Sequence, residues 1–165
     1  MNPDTQGGAI VYLLDDDASV RAAVDDLLSS VGLAVRSFAS AAEFWQFWQS
    51  GGQEVHERPG CLVLDIRMPG QSGLEFRRQM LEQGLQLPTI FITGHGDIRM
   101  GVEAMKTGAI EFLTKPFRDQ DLIDAIQQGI ARHRLRRAGE QARHAAQARW
   151  QQLSRGEQDV VRLVV

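Results

Sequence analysis

The sequence predicts an α/β protein with a five-stranded, parallel, doubly wound sheet followed by an extended C-terminal helical segment. Five short apolar runs alternate with segments of helical periodicity, as in sheets whose helices cover both faces. Three of the runs hardly alternate between apolar and polar residues, which indicates strands that are buried on both sides. In the expected strand order 2-1-3-4-5, the first and third strands are neighbours at the point where the order reverses.

The five apolar runs predict strands over residues 9–14, 34–38, 61–64, 89–92 and 109–113. The first, third and fourth of them contain IVYLL, CLVL and TIFI, which are almost entirely apolar. Crossovers between parallel strands are right-handed, and ligands of such sheets bind beyond the carboxyl ends of the strands. The residues that follow each strand are therefore the candidates for a functional site.

Three helices are predicted between the first four strands. Over residues 19–31 the apolar side chains form one stripe, and Gly32 ends the helix. Ser40 and Glu43 have the spacing of a capping box, which starts a second helix. Residues 74–81 predict a third helix before the fourth strand.

The second half of the chain predicts two more helices and a linker. Asp97 caps a fourth helix that Gly108 ends, and Asp119 caps a fifth helix with an apolar face. Residues 131–152 are rich in Ala, Arg and Gln, which favour helix, although the apolar stripe is thin and Gly139 interrupts it. We expect an exposed helical linker here, which can continue the fifth helix.

The composition excludes several classes of protein. Apolar residues make up 43% and charged residues 24% of the 165 residues, as in globular domains and unlike disordered chains. A single cysteine, Cys61, excludes a disulfide framework and a cysteine-based zinc site. No apolar run approaches the ~20 residues that span a membrane, and the N-terminus does not resemble a signal peptide. We expect a cytoplasmic protein that does not contact membranes.

The charges are divided unevenly along the chain. Residues 132–149 contain six arginines and one acid, a net charge of +5, whereas the rest carries 12 basic and 20 acidic residues, a net charge of −8. An acidic domain therefore precedes a basic segment. The acidic part is by itself a poor surface for nucleic acid.

Acidic side chains follow two strands that the expected order makes neighbours. Asp15, Asp16 and Asp17 follow the first strand, and Asp65 ends the third. Carboxylates that crowd one crevice are costly unless a cation compensates their charge. Because the ligands available there are oxygen atoms, the cation is hard, and Mg²⁺, which also accepts a phosphate oxygen, fits best.

A hydroxyl and an ammonium group follow the last two strands. Thr93 ends the fourth strand and precedes Gly94, and Lys115 ends the fifth strand and precedes Pro116. Together with the carboxylates and a metal, these groups supply what phosphoryl transfer needs, namely a nucleophile, a cation and donors for the phosphoryl oxygens. An aspartate can itself be the nucleophile and form an acyl phosphate.

Residues 9–130 resemble the receiver domain of bacterial two-component response regulators, a flavodoxin- and CheY-like fold. The motifs are the aspartates after the first strand, the stretch D-x-x-M-P-x-x-x-G from Asp65 to Gly73, Thr93-Gly94, and Lys115-Pro116-Phe. The stretch ITGHGD at 92–97 is similar to the FixJ-like branch of these regulators. In that branch a LuxR-type helix-turn-helix domain follows, and residues 153–160 resemble its start, although glycine stands at 156 where the family has arginine.

The resemblance implies a role for each residue of the acidic cluster. It implies that Asp65 accepts a phosphoryl group from a sensor histidine kinase. It also implies that Asp16, Asp65 and the backbone carbonyl of Arg67 bind Mg²⁺, with Asp15 acting through water. The protein is then a regulatory phosphoacceptor and not an enzyme with a separate substrate, and it phosphorylates and slowly dephosphorylates itself.

The remaining implied roles concern the response to phosphorylation. Lys115 pairs with the phosphoryl group, Thr93 donates a hydrogen bond to it, and Phe112 matches the aromatic residue that turns inward on activation. The resemblance also implies a cis bond between Lys115 and Pro116, and places Arg67 and His95 beside the site. The fourth helix, fifth strand and fifth helix then form the surface through which the phosphorylated protein dimerises.

The implied organisation has three parts. Residues 9–130 form the receiver, residues 131–152 the linker, and residues 153–165 the truncated start of a DNA-binding domain. Promoter DNA is then contacted only through the C-terminal domain that the chain lacks. A receiver whose tail merely binds partners is the alternative.

Two other functions compete with this interpretation. Asp15 to Ser19 nearly match the D-x-D-x-T/V motif of haloacid-dehalogenase-type phosphatases, in which Asp15 would be the nucleophile and Asp17 the general acid. That function leaves the motif from Asp65 to Gly73 without a role. A flavin-binding module of similar fold lacks support because no phosphate-cradling loop follows the first strand.

Overall fold

The protein is described here by a computed structural model that covers residues 8–52, 54–94 and 98–152. Its five strands form one sheet in which every neighbouring pair is parallel. The order β2-β1-β3-β4-β5 confirms the expected 2-1-3-4-5 topology. The strand bounds are β1 Ile10–Leu14, β2 Ala34–Phe38, β3 Gly60–Asp65, β4 Thr89–Thr93 and β5 Glu111–Thr114.

The three central strands are buried along their whole length. Every residue of β1, β3 and β4 is buried, whereas the edge strands β2 and β5 are mostly exposed or half-buried. Along β1, Ile10, Tyr12 and Leu14 belong to one apolar cluster, and Val11 and Leu13 to another. Successive side chains of a strand point to opposite faces, so the sheet separates two cores. This double burial explains why these strands have almost no polar residues.

Six helices occur in the described part of the chain. They are α1 Ala18–Ser30, α2 Ala41–Gln49, α3 Glu54–Glu57, α4 Gly73–Glu82, α5 Ile98–Lys106 and α6 Asp119–Gln152. The predicted helices agree with α1, α2, α4, α5 and the start of α6 to within about two residues, as expected for helix ends. The four residues of α3 were not predicted, because a helix of one turn has no periodicity to detect. The predicted fourth and fifth helices are therefore α5 and α6.

The helix starts are fixed by side-chain caps. Ser40 accepts a hydrogen bond from the backbone N–H of Glu43, and the Glu43 carboxylate accepts one from the N–H of Ala39, so the predicted cap is present. Asp17 caps α1 by accepting from the N–H groups of Ser19 and Val20. Asp119 differs from the expectation, because it lies in the first turn of α6 and not before it. Asp97, the expected cap of α5, lies outside the described residues.

The chain divides into two compact units, residues 1–133 and 134–165. In the first unit, the buried face of α6 runs from Leu122 to His133, and the His133 Nδ1 atom accepts a hydrogen bond from the N–H of Gly60 at 2.7 Å. In the second unit, residues 134–152 are helical and almost entirely exposed. Gly139 does not end this helix, since a single glycine costs only about 1 kcal/mol relative to alanine.

Across the described residues, no helix has both the length and the apolar character that crossing a membrane requires.

Candidate functional site

The carboxyl ends of β1 and β3 bring three acidic side chains together. Leu14 pairs with Leu64 in the register of these two strands, so Asp15 and Asp65, the next residue of each, lie side by side. Asp15 and Asp65 are buried and Asp16 is exposed, and one carboxylate oxygen from each lies within 4.8 Å of the other two. The predicted acidic cluster is therefore formed. Asp17 does not join it, since its side chain caps α1.

Lys115 closes this cluster from the end of β5. Its Nζ atom donates a hydrogen bond to Asp15 Oδ2 at 2.8 Å and lies 3.6 Å from Asp65 Oδ2. The bond between Lys115 and Pro116 is cis, as expected, and the N–H of Lys115 donates to the carbonyl of Thr93. We call the group Asp15, Asp16, Asp65 and Lys115 the acidic crevice.

Burial and charge work against each other on the Asp65 carboxyl. Burial raises its pKa, the neighbouring Asp15 charge raises it further, and the Lys115 ammonium lowers it, with a net pKa of about 6. For Lys115, burial opposes the charged form, but the hydrogen bond and charges of Asp15 and Asp65 outweigh it and raise the pKa. At neutral pH the crevice therefore holds an ionised, poorly compensated Asp65 beside a firmly charged lysine.

The donor set of the crevice suits a hard cation. The three carboxylates supply oxygen atoms, which Mg²⁺ prefers over nitrogen and sulfur. The energetic cost of placing Asp65 beside Asp15 also favours a cation between them. At Arg67, the predicted carbonyl ligand, the backbone N–H donates to Asp65 Oδ1 at 3.2 Å, so this loop is held directly against the phosphoacceptor candidate.

Thr93 brings an unused hydroxyl to the site. It ends β4 next to Asp65, since Ile92 pairs with Asp65 in the register of β3 and β4. Its side chain is completely buried, and its Oγ1 atom has no hydrogen-bond partner among the described residues. Buried hydroxyl groups normally have a partner, so the Thr93 hydroxyl is an exception among the described residues.

Phe112 lies on β5, next to α5. Its ring is half-buried, packs against one of the two apolar cores and borders an open groove of about 670 Å³ between α5 and β5. The groove is otherwise lined mainly by Ile98, Val102 and Met105, with Gly101 beneath the ring. We call this surface the α5 groove. It includes part of the surface predicted for dimerisation.

The structure explains the roles of Arg21 and Gly73, which the sequence pattern did not predict. Arg21, which was not predicted, donates from Nη1 to the backbone carbonyl of Asp15 at 2.7 Å, and its position one turn after the Asp17 cap was the available signal. Gly73 ends the motif that starts at Asp65. A side chain there would collide with the Asp65 carbonyl and approach Ile66 Cα to 3.0 Å, so only glycine fits.

His95 and residues 153–165 lie outside the described part of the chain.

The family comparison matches most of the sequence. The profile of the response regulator receiver domain matches residues 11–127. Nodulation protein W of Bradyrhizobium diazoefficiens is 44% identical over 156 residues, which are 94% of this chain and 66% of that protein. The transcriptional regulatory protein FixJ of Azorhizobium caulinodans is 40% identical over 155 residues, 94% of this chain and 71% of that protein. The chain thus spans about two thirds of the length of such relatives.

Solved structures give the same assignment. The response regulator StyR superimposes with a TM-score of 0.82 at 43% identity, over 94% of this chain and 76% of that one. Full-length FixJ from B. japonicum gives a TM-score of 0.69 at 36% identity, over 92% and 71% of the two chains. The phosphatase alternative has no support, and Asp17, its general acid, is engaged as a helix cap. The chain belongs to the response regulator receiver family of two-component signalling systems.

Proposed function

We propose that this protein is a phosphorylation-controlled switch that accepts a phosphoryl group on Asp65 from a sensor histidine kinase. The observation that carries the proposal is the acidic crevice, in which Asp65 is buried beside Asp15 and 3.6 Å from the Lys115 ammonium. With a pKa of about 6, Asp65 is ionised at neutral pH and can act as a nucleophile. Regulation, and not turnover of a separate substrate, fits the family.

The transfer makes one bond and breaks another. A carboxylate oxygen of Asp65 attacks the phosphorus atom of the kinase phosphohistidine, and the P–N bond breaks as the O–P bond forms. Asp16, Asp65 and the Arg67 carbonyl are the proposed Mg²⁺ ligands, with Asp15 acting through water. When bound, Mg²⁺ offsets the negative charge of the phosphoryl oxygens.

Lys115 and Thr93 are the residues that respond to the new group. The phosphoryl group adds about two negative charges beside Asp15, and Lys115, already within reach of Asp65, compensates them. The orphan hydroxyl of Thr93 is the proposed hydrogen-bond donor to the phosphoryl oxygens. Reaching them would draw the end of β4 toward the crevice.

Phe112 is the proposed link to the surface. Phe91 pairs with Phe112 and Thr93 with Thr114, so Thr93 and Phe112 lie on the same face of neighbouring strands. Space that the Thr93 side chain vacates is therefore accessible to the Phe112 ring. Movement of that ring would reshape the α5 groove, and we propose that α5, β5 and α6 form the dimer surface of the phosphorylated protein.

The proposed output is control of transcription in the cytoplasm. Transcriptional regulation is part of the name of FixJ, a relative that extends beyond the length this chain matches. We propose that residues 9–130 act as the receiver, that 131–152 act as its linker, and that residues from 153 onward begin a LuxR-type DNA-binding domain. DNA would be bound through that domain and not through the receiver.

Intact mass spectrometry tests the phosphoacceptor. Incubation with acetyl phosphate and Mg²⁺ should add one labile phosphoryl group to the wild-type protein, and EDTA should prevent it. Asp65→Asn should abolish the gain, whereas Asp25→Asn, which removes an exposed acid on α1, should not. A gain that survives Asp65→Asn but not Asp15→Asn would contradict the proposal, as would the absence of any gain from acetyl phosphate, phosphoramidate and a phosphorylated kinase.

A further inference from the structure

The middle of α5 lacks a side chain where the Phe112 ring lies. A Cβ atom built on Gly101 would be 2.6 Å from Phe112 Cε1 and 2.8 Å from both Cδ1 and Cζ. Non-bonded carbon atoms pack at about 3.5–4.0 Å, so no other residue fits beneath the ring as it stands. The ring therefore occupies the space that a side chain at position 101 would need.

The backbone gives no other reason for this glycine. Gly101 lies within α5 and is not among the glycines with positive φ, so its conformation is open to any residue. A glycine inside a helix costs about 1 kcal/mol relative to alanine. The glycine stands at a position where the three atoms nearest to a built Cβ all belong to the ring of Phe112.

The ring also borders the open α5 groove. Ile98, Val102 and Met105 of α5 line the groove and are 76%, 49% and 43% exposed, so they do not enclose Phe112. The ring thus has a tight surface beneath it, at Gly101, and an apolar, unfilled surface beside it. Two places for one ring are what a two-position element needs.

We propose that Gly101 is a positioning residue for Phe112: the missing side chain forms a seat that the ring occupies in one of its two positions. The seat sets how easily the ring leaves and returns when Asp65 is phosphorylated, and any side chain at position 101 removes that position. This inference rests on the proposed role of Phe112 in the switch, and extends it to a residue on another element.

The substitution Gly101→Ala separates this role from helix stability. Alanine should strengthen the helix by its propensity, but it should also displace the ring. Gly139→Ala is the matched control, since Gly139 also lies inside a helix and, among the described residues, nothing but its own helix lies within 4 Å of a Cβ built there. Both variants gain helix propensity, and only one affects Phe112.

Aromatic NMR of the ring provides the decisive measurement, with Phe112→Leu used to assign its signals. Spectra are recorded for three proteins: the wild type, the single variant Gly101→Ala and the single variant Gly139→Ala. Each is measured in the presence of Mg²⁺, before and after addition of acetyl phosphate. Phosphorylation should shift the Phe112 signals in the wild type and in Gly139→Ala. In Gly101→Ala the signals should start displaced, and the phosphorylation-dependent shift should fall at least threefold, while the mass gain on Asp65 is retained.

Several outcomes would overturn the inference. In the first, the Phe112 signals of Gly101→Ala and their shifts on phosphorylation equal those of the wild type. In the second, the Phe112 signals of the wild type do not change although Asp65 is phosphorylated. Absence of phosphorylation in the wild type would refute the proposed function instead, and the displaced ring of Gly101→Ala would still report the contact. If Gly101→Ala does not fold, the double variant Gly101→Ala/Phe112→Leu should fold, because leucine removes the collision with the ring. If neither variant folds, the proposed role of Gly101 as the seat of the ring is also contradicted.

Discussion

The acidic crevice is charged and largely buried, whereas the α5 groove is open and mostly apolar. In the crevice, Asp15 and Asp65 are 0% and 4% exposed. Asp15 Oδ2 accepts a hydrogen bond from Lys115 Nζ, and Asp65 Oδ1 accepts one from the backbone N–H of Arg67. In the groove, Ile98 is 76% exposed, and the Phe112 ring lies closely against Gly101. In the proposed function, the first region carries out one reaction, and the second changes its shape in response to it.

This difference predicts that substitutions in the two regions affect different properties. Changes in the crevice should alter chemistry and its dependence on pH and Mg²⁺, because electrostatic interactions are strong where water is excluded. Changes in the groove should leave the chemistry alone and alter stability or association by modest amounts, because exposed side chains contribute little to folding.

The largest expected effect is that of Lys115→Met. The chain has two lysines, one in each region, so Lys106→Met at the exposed edge of the groove is a matched control. Removing the Lys115 ammonium should slow phosphorylation by acetyl phosphate about 100- to 1000-fold, as for the loss of a donor to a reacting oxyanion. Lys106→Met should change the rate less than threefold. The rates are measured by mass spectrometry over time. If the two substitutions slow phosphorylation equally, the predicted difference between the acidic crevice and the α5 groove is wrong.

A second effect concerns stability and pH. The pKa of Asp65 is about 6 in the folded protein and near 3.8 in a free carboxyl, so between these values the folded state binds more protons than the unfolded state. Its stability therefore falls as pH rises from 4 to 6 and stays lower above that. In EDTA, Asp65→Asn should stabilise the protein by about 3 kcal/mol at pH 8, and the gain should disappear near pH 4.

Urea denaturation at the two pH values measures this difference. Adding Mg²⁺ at pH 8 should stabilise the wild type, because a ligand that binds only the folded state adds to its stability, and should stabilise Asp65→Asn much less. If Asp65→Asn instead destabilises the protein at pH 8, the negative charge of Asp65 is stabilised more strongly than its burial and its neighbours Asp15 and Lys115 predict.

A third effect compares two aromatic rings paired across β4 and β5. Phe91 is fully buried and Phe112 half-buried, although they face each other in the register. Phe91→Ala should cost about 3–5 kcal/mol, whereas Phe112→Ala should cost about 1 kcal/mol. Phe112→Ala should leave the phosphorylation rate within threefold of the wild type. A cost near that of Phe91→Ala would show that the ring is a core residue with no freedom to move.

The smallest effect on stability is expected for Val102→Ser in the groove. Val102 is 49% exposed, and Val31 at the end of α1, 46% exposed, provides the control. Both substitutions should change the free energy of unfolding by less than about 0.5 kcal/mol. Only Val102→Ser should weaken dimerisation of the phosphorylated protein, which sedimentation measures. Equal dimerisation in both variants would place the interface elsewhere.

The acidic crevice was largely predictable, because strand ends determine it. The runs before Asp15 and Asp65 are almost entirely apolar, so they had to be buried, parallel and central, and the polar residues that follow them had to meet at one edge. Arg21 was not predicted, since a cation in the first turns of a helix serves many purposes, and its bond to the Asp15 carbonyl depends on how α1 leaves the sheet.

The groove was much less predictable than the crevice. Gly101 and Phe112 are separated in sequence by the end of α5 and the start of β5, and nothing in their spacing indicates that they touch. A glycine within a helical segment lowers the propensity there and suggests no partner. The helix at 134–152 shows the reverse case. Its residues are almost entirely exposed, and helix propensity alone predicted it.

The amino-acid pattern alone was enough to predict the sheet, its strand order, the caps at Ser40 and Glu43, and the residues that meet at the carboxyl ends of the strands. These follow from hydrophobic burial and local hydrogen bonding, which act along the chain and leave a pattern in it. Three features were set by the three-dimensional packing: Lys115 reaches Asp15, Phe112 lies against Gly101, and the Thr93 hydroxyl has no partner among the described residues. Such contacts depend on distances between elements far apart in sequence, and a difference of 1 Å is enough to make or remove them.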